Sequence, residues 1–270
     1  MKIEITLAQI QSEFGNPQKN FNRVNQIVNK IQPTTDHLLI LPELWSSGFD
    51  LKQSHLHINA DQEILQELST LSTQKNIWIA GSYLTQENSN YFNTFVLLGP
   101  GGKKSIYRKI HLIKLMHEHH WLQAGDQYVA VSTAFAQFGL TICYDLRFPT
   151  QFQALSHSGC NIFLMPAAWP IARIKHWQAL TLARAIENQA FFIACNAVGG
   201  THRETFGGCS AIISPFGEIL LQGSQTKELI QTIEINPQEA DDLRCKFPVL
   251  SEQVENDKKS YSVITDDFSI

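Results

Sequence analysis

Short apolar runs rich in β-branched and aromatic residues alternate with segments of helical periodicity along most of the chain, and this alternation restricts the fold more than any other feature. HLLILPE, NIWIAGSY, NTFVLLGP, FGLTICY, NIFLMPA, AFFIACNAV, GCSAIIS and LIQTIEI predict strands. Residues 17–31, 61–74, 149–157 and 173–189 predict helices, with Asn16 and Asp61 as N-caps and Pro17 at a first helical position. Strands this apolar need helices over a face, which argues for a layered α/β protein. Two hairpins, LLGPGGKKSIYRK and IISPFGEILLQG, the second with Pro215 and Gly217 placed for a type I turn, predict a mixed sheet. No linker or repeat divides residues 1–270, so one domain is expected, with the tail after about Pro248 as an appendage.

Composition narrows the function. The chain has 270 residues, 43% of them hydrophobic and 17% charged, with a formal net charge of -4. That suits a single large core and excludes the basic surface nucleic acid requires. The N-terminal MKIEITLAQIQ alternates polar with apolar residues and reads as a first strand, not a signal peptide, and no apolar run reaches the length of a membrane span. The cysteines number five, with no CxxC and no zinc spacing, so a reduced, cytoplasmic protein is expected. Neither GxGxxG nor GxxxxGK[ST] occurs, and no cofactor is expected.

One cysteine is placed for chemistry. In GLTICYDLRFP an apolar run stops at Cys143 and the polar Tyr144, Asp145 and Arg147 follow at once. A strand ending in a thiol predicts a nucleophile on a sharp turn, with the Tyr144 N–H directed to where a carbonyl oxygen becomes an oxyanion. Cys195 and Cys209 sit in apolar runs, Cys160 opens another, and Cys245 falls in a charged segment; all four read as structural or incidental. Glu43 follows a strand and is flanked by Leu44, Trp45 and Phe49. Desolvation there disfavours the carboxylate and suits a general base near neutral pH. Taken singly, Glu43 also fits a solvated strand-end acid, and Lys109 in SIYRKIHL fits surface charge. In MHEHHWLQAGD, His117, Glu118, His119 and His120 invite a metal, but adjacent positions point in divergent directions, so none is expected. The histidines read as pocket lining or as exposed loop residues.

PELW around Glu43, YRKIHL around Lys109 and CYDLRFP around Cys143, in that order, resemble the Glu-Lys-Cys motifs of the nitrilase (carbon-nitrogen hydrolase) superfamily. The likeness continues through MPAAWP, HWQALTLARAIENQ and SPFGEIL, and is greatest to the omega-amidase branch. The resemblance implies a four-layer αββα sandwich of two mixed six-stranded sheets, usually dimerised through helices beside the active site. It assigns Glu118 to positioning substrate or water and orienting Lys109. It also implies a small-molecule amide substrate, 2-oxoglutaramate or 2-oxosuccinamate, hydrolysed with water to the 2-oxo dicarboxylate and ammonia. Arg173 is then expected to fork onto the distal carboxylate, with Trp45, Phe49 and Trp169 as pocket walls. The other readings are a nitrilase, an N-carbamoyl amino acid amidohydrolase, a peptide-like amidase and a non-catalytic binding protein. The helix over 173–189 carries stripes at Ile174, Trp177, Leu180, Ala183 and Ile186 and at Ala179, Leu182 and Ala185. They predict either a partner subunit on one side, in a homodimer or higher homo-oligomer, or burial within its own domain.

Overall fold

In a computed structural model of the protein, residues 2–201, 204–252 and 263–269 are described; residues 253–262 of the expected tail lie outside them. The strands are β1 (Ile3–Gln9), β2 (Asp36–Ile40), β3 (Trp78–Glu87), β4 (Asn90–Gly99), β5 (Lys103–Arg108), β6 (Tyr128–Thr133), β7 (Gln137–Leu140), β8 (Ile162–Ala167) and β9 (Phe191–Asn196). They continue with β10 (Val198–Gly200), β11 (Thr205–Gly207), β12 (Ala211–Ile213), β13 (Ile219–Gln222), β14 (Leu229–Ile235) and β15 (Val263–Phe268). Among the described residues they form a six-stranded sheet, order β14-β1-β2-β3-β4-β5, a seven-stranded sheet, order β13-β12-β9-β8-β7-β6-β15, and a β10-β11 pair. Both large sheets are mixed: β1 pairs antiparallel with β14 and parallel with β2, while β9 pairs antiparallel with β12 and parallel with β8.

The period-two pattern of the strands produces the layers. Ile5, Leu7, Leu38 and Ile40 face the second sheet, whereas Ala8, Leu39 and Leu41 turn to the opposite side and meet α1 (Pro17–Lys30) and α2 (Ser54–Lys75). Phe152 of α3 (Pro149–His157) and Trp177 of α4 (Ile174–Glu187) pack in the same core as the second sheet. The result is helix, sheet, sheet, helix, with α5 (Gln238–Lys246) following β14. Across the two sheets the Cys195 thiol donates to the carbonyls of Ala8 and Ile40, at 3.3 and 3.4 Å.

Local expectations fare unevenly. Asn16 caps α1, its side chain accepting from the Lys19 N–H, with Pro17 at the first helical position. Asp61 does not cap α2, which begins at Ser54; its buried carboxylate instead accepts from the Leu84 N–H at 3.1 Å. The second sheet has seven strands where six were expected. Its last strand, β15, comes from the segment read as an appendage and pairs parallel with β6, covering an edge that would otherwise present unpaired backbone. Phe268 packs on Trp78 and Lys103 donates to the Phe268 carbonyl, so the same segment grips the first sheet. On α4 the buried face runs through Ile174, Trp177, Thr181, Arg184 and Ala185, while Ile186 is 49% exposed. The helix is therefore wet on one side, where Ala179 of the second stripe and Ile186 of the first are exposed while Ala185 of the second is buried.

Burial pushes the Asp61 carboxyl up to about 6 from an ordinary 3.8. The native state holds that proton over a range where the unfolded chain has released it, so stability should fall as pH rises from about 4 to 6 and then level off. Asp61→Asn removes this slope. Relative to the parent, it should gain about 3 kcal/mol between pH 4 and 7 in denaturant titrations. An unchanged pH profile would show that the buried carboxyl does not carry the slope.

Candidate active site

Three chain segments, distant in sequence, deliver their polar ends to one point between the sheets. Glu43 follows β2 in a tight loop where Leu44 and Phe49 hold positive φ, at 44° and 70°. Gly48 in that loop has φ 66°, and a Cβ there would lie 2.7 Å from the Glu13 carbonyl oxygen, so only glycine fits. Lys109 follows β5, its N–H bonded to the Asn93 carbonyl at 2.9 Å. Cys143 opens the 3₁₀ turn Cys143–Arg147 after β7, with φ 43°. For a non-glycine residue that is a strained backbone, and strain of this kind concentrates at functional sites.

The Lys109 ammonium is fully buried between two carboxylates, 2.8 Å from Glu43 Oε1 and 2.8 Å from Glu118 Oε1. Remaining lone pairs are satisfied. Asn93 Nδ2 donates to Glu43 Oε1 at 2.8 Å, the Ala168 N–H to Glu43 Oε2 at 2.9 Å, and the Ile113 N–H to Glu118 Oε2 at 2.8 Å. Burial alone opposes the charge on Lys109, but Glu118, Glu43 and Cys143 outweigh it and hold its pKa well above the ordinary lysine value. Burial, together with the neighbouring Glu43, raises Glu118 despite Lys109. Burial and then the Glu43 charge also push the Cys143 thiol far up, only partly opposed by Lys109. Burial first, and the Glu43 charge second, therefore keep the resting sulfur a thiol.

Cys143 lines a cavity of about 250 Å³ with Tyr144, Trp169, Arg173, Ile113, Leu115, Met116, Pro170 and Arg147. Trp169 and Arg173 thus line the same cavity as Cys143. The Tyr144 N–H has no acceptor among the described residues. Trp45 does not line this cavity: it is 1% exposed and packs edge-on against Tyr83 in the core beneath α1 and α2. The strand-to-loop turn sends residue 45 to the face opposite Glu43. Phe49 is likewise displaced, because its positive φ turns it into a neighbouring cavity against Phe206, 6.0 Å between ring centroids. The three histidines gather instead of diverging, with centroids of His119 and His120 4.2 Å apart and of His117 and His120 5.2 Å apart. The cause is His117 itself, left-handed between two 3₁₀ turns. Among the described residues no three His, Cys, Asp or Glu side chains are placed to hold a metal ion.

Sequence reasoning passed over three contributors. Asn93 looked like the polar start of a strand. Arg147 was only part of a polar cluster, yet its guanidinium lies 4.7 Å above the Trp169 ring in the cavity wall. Asp145, wholly buried, accepts from the Ile142 N–H at 2.9 Å, Tyr107 Oη at 2.7 Å and the His111 N–H at 3.2 Å, and pairs with His111 Nδ1 at 2.7 Å. It clamps the cysteine turn to the segment that follows Lys109. Polar residues directly after the thiol were the available signal, but their partners lie some 34 to 38 positions away.

A family model described as carbon-nitrogen hydrolase matches residues 4–244. The chain belongs to the carbon-nitrogen hydrolase family. This carbon-nitrogen hydrolase is 33% identical to a 2-oxoglutaramate amidase of Bacillus subtilis, over 93% of its own length and 98% of that protein. It is 32% identical to the omega-amidase YafV of Escherichia coli K12, over 91% and 94% of the two chains. Among solved structures it matches XC1258 of Xanthomonas campestris, a superfamily protein described with an arsenic adduct in its active site. The TM-score is 0.89 at 26% identity, with 94% of this chain and 98% of that one covered.

Removing the Asp145 clamp leaves Tyr107, His111 and the Ile142 N–H without their acceptor. Asp145→Ala should lower the unfolding free energy by roughly 3 kcal/mol. Equilibrium denaturation checks this, and a loss within about 0.5 kcal/mol, the range of ordinary surface changes, would mean the clamp is not structural.

Proposed function

We propose that this carbon-nitrogen hydrolase is a thiol amidohydrolase of the omega-amidase type, acting on short amides that carry a distal carboxylate. The observation that carries this reading is the 250 Å³ cavity with Cys143 at its base and two arginines in its wall, Arg147 and Arg173. Neither guanidinium has a carboxylate partner among the described residues. Two cations facing a small cavity match a 2-oxo dicarboxylic monoamide, whose far end is anionic, better than a nitrile or a neutral amide. The names of the Bacillus and Escherichia relatives support the same class, with 2-oxoglutaramate and 2-oxosuccinamate as substrates.

In this mechanism the Glu43 carboxylate removes the Cys143 proton as the sulfur attacks the amide carbon. Proton transfer and attack belong together, because a buried free thiolate beside the Glu43 charge is disfavoured. The oxyanion is met by the Lys109 ammonium and the Tyr144 N–H. Glu43 returns the proton to the leaving nitrogen, ammonia departs, and a thioester remains on Cys143. Glu43 then deprotonates water, whose oxygen attacks the thioester and releases the carboxylic acid, and the proton held on Glu43 returns to the departing sulfur. Glu118 fixes Lys109 and ties the loop over 113–118 to it. No step calls on a cofactor. With no disulfide and no helix among the described residues long and apolar enough to cross a membrane, a cytoplasmic setting fits this chemistry.

Cys143→Ala should abolish ammonia release by at least about a thousandfold while the fold persists. On a panel of 2-oxoglutaramate, 2-oxosuccinamate, glutamine, N-carbamoyl amino acids and simple nitriles, kcat/KM for the oxo-amides should lead by at least about tenfold. Arg147→Ala and Arg173→Ala should each raise KM for the oxo-amides by about 10- to 100-fold and spare a neutral amide, as expected for lost charge-assisted hydrogen bonds. A preference for nitriles would replace the reading with a nitrilase.

The exposed Ile186 at the end of α4 supports a homodimer in the same reading. Ile186 lies beside Gly217, and Phe216, Ile219 and Leu220 of the adjoining hairpin are 62, 50 and 42% exposed. Together they make an apolar patch of the kind that marks subunit contacts. Light scattering after size exclusion should give twice the chain mass, and Phe216→Asp should shift it toward the monomer; a parent that runs as a monomer would exclude the interface.

A further inference from the structure

Met116 is shared by two cavities. On one side is the catalytic cavity of about 250 Å³ with Cys143, and on the other a second of about 310 Å³ walled by Phe14, Phe49, Trp121 and Phe206. Its side chain is half-buried against the cluster that contains Leu44, Ala168, Phe49 and Phe206. The backbone gives it little freedom. The N–H groups of Met116 and Glu118 both bond to the Ile113 carbonyl at 3.2 Å, and the Ile113 N–H bonds back to the Glu118 carboxylate. The anchor that holds Glu118 on Lys109 therefore also sets the thioether between the cavities.

We propose that Met116 is a specificity-determining residue that closes the acyl end of the catalytic cavity, and that the aromatic cavity behind it is an extension subsite for apolar acyl groups. This rests on the amidase reading above. With methionine in place, the substrate is confined to the short, anionic acyl chain that the two arginines can reach. With the thioether removed, an aryl or branched alkyl group on the acyl chain enters the second cavity and stacks against Phe49 and Phe206. Methionine suits a divider because it is unbranched and fills an irregular gap without fixing its shape.

The test compares kcat/KM for 4-phenylbutanamide with that for 2-oxoglutaramate in the parent and in three variants, each ratio taken on one enzyme preparation so that partial misfolding cancels. Met116→Ala should raise the aryl-to-oxo ratio by at least about tenfold, the order expected when a pocket gains the volume of a few methylenes. Met116→Phe should leave the ratio at or below that of the parent. Adding Lys52→Trp, which fills the second cavity from its exposed rim, to Met116→Ala should remove most of the gain. A ratio that does not move in Met116→Ala, or a gain that survives Lys52→Trp, overturns the proposal. A parent that releases no ammonia from any short amide would overturn the amidase reading instead, which keeps the two failures apart.

Discussion

Everything at the centre of this molecule is arranged around one buried ammonium. Taking Lys109 and two carboxylates out of water costs several kcal/mol per ion, and the arrangement holds only because the charges face each other at hydrogen-bond distance and leftover lone pairs meet donors. Those donors come from β4 through Asn93, from the end of β8 through Ala168, and from the loop after β5 through Ile113. Both sheets must be seated before the trio is complete. Burial, seconded by the Glu43 charge, keeps the Cys143 sulfur protonated at rest.

The nucleophile depends on a second buried carboxylate. Asp145 holds the Ile142 N–H immediately before Cys143 and reaches back to Tyr107 and His111 on either side of Lys109. The His111 ring lies flat on Phe148, 3.7 Å between centroids, so the clamp is packed as well as bonded. Through it the cysteine turn and the lysine segment move as one body, which is what reproducible attack geometry requires. The strained φ of Cys143 persists because these contacts over-determine it.

Charge separates the two halves of the catalytic cavity. Around the sulfur lie the carboxyl of Glu43 and the ammonium of Lys109, whereas the outer wall carries Arg147 and Arg173, the former resting on Trp169. Under the proposed amidase reading, an anionic acyl chain is drawn to the outer wall, so electrostatics orient the amide toward Cys143. The loop over 113–118 joins both halves, because Glu118 belongs to the ion cluster and Met116 to the wall.

The sequence by itself determined the layered α/β class, the strands with clear apolar runs and the capped start of α1, because apolar periodicity and cap residues are local signals; Cys143 was marked by a thiol ending a strand, whereas Glu43 and Lys109 were singled out only by the resemblance of three ordered motifs. Strand β6 escaped since YVAVST is short and lacks turn residues at its close, and β15 escaped since a polar strand is recognisable only from the edge it covers. Tertiary structure alone decided what lies behind and beside the triad. In the loop after β2, with Leu44 at positive φ between Glu43 and Trp45, Trp45 goes to the helix side, a positive φ turns Phe49 into the second cavity, and a left-handed His117 gathers histidines whose sequence spacing suggested divergence. Asn93, Asp145 and Arg147 acquire meaning only from partners brought near by folding, because a hydrogen bond between distant positions leaves no mark on either segment.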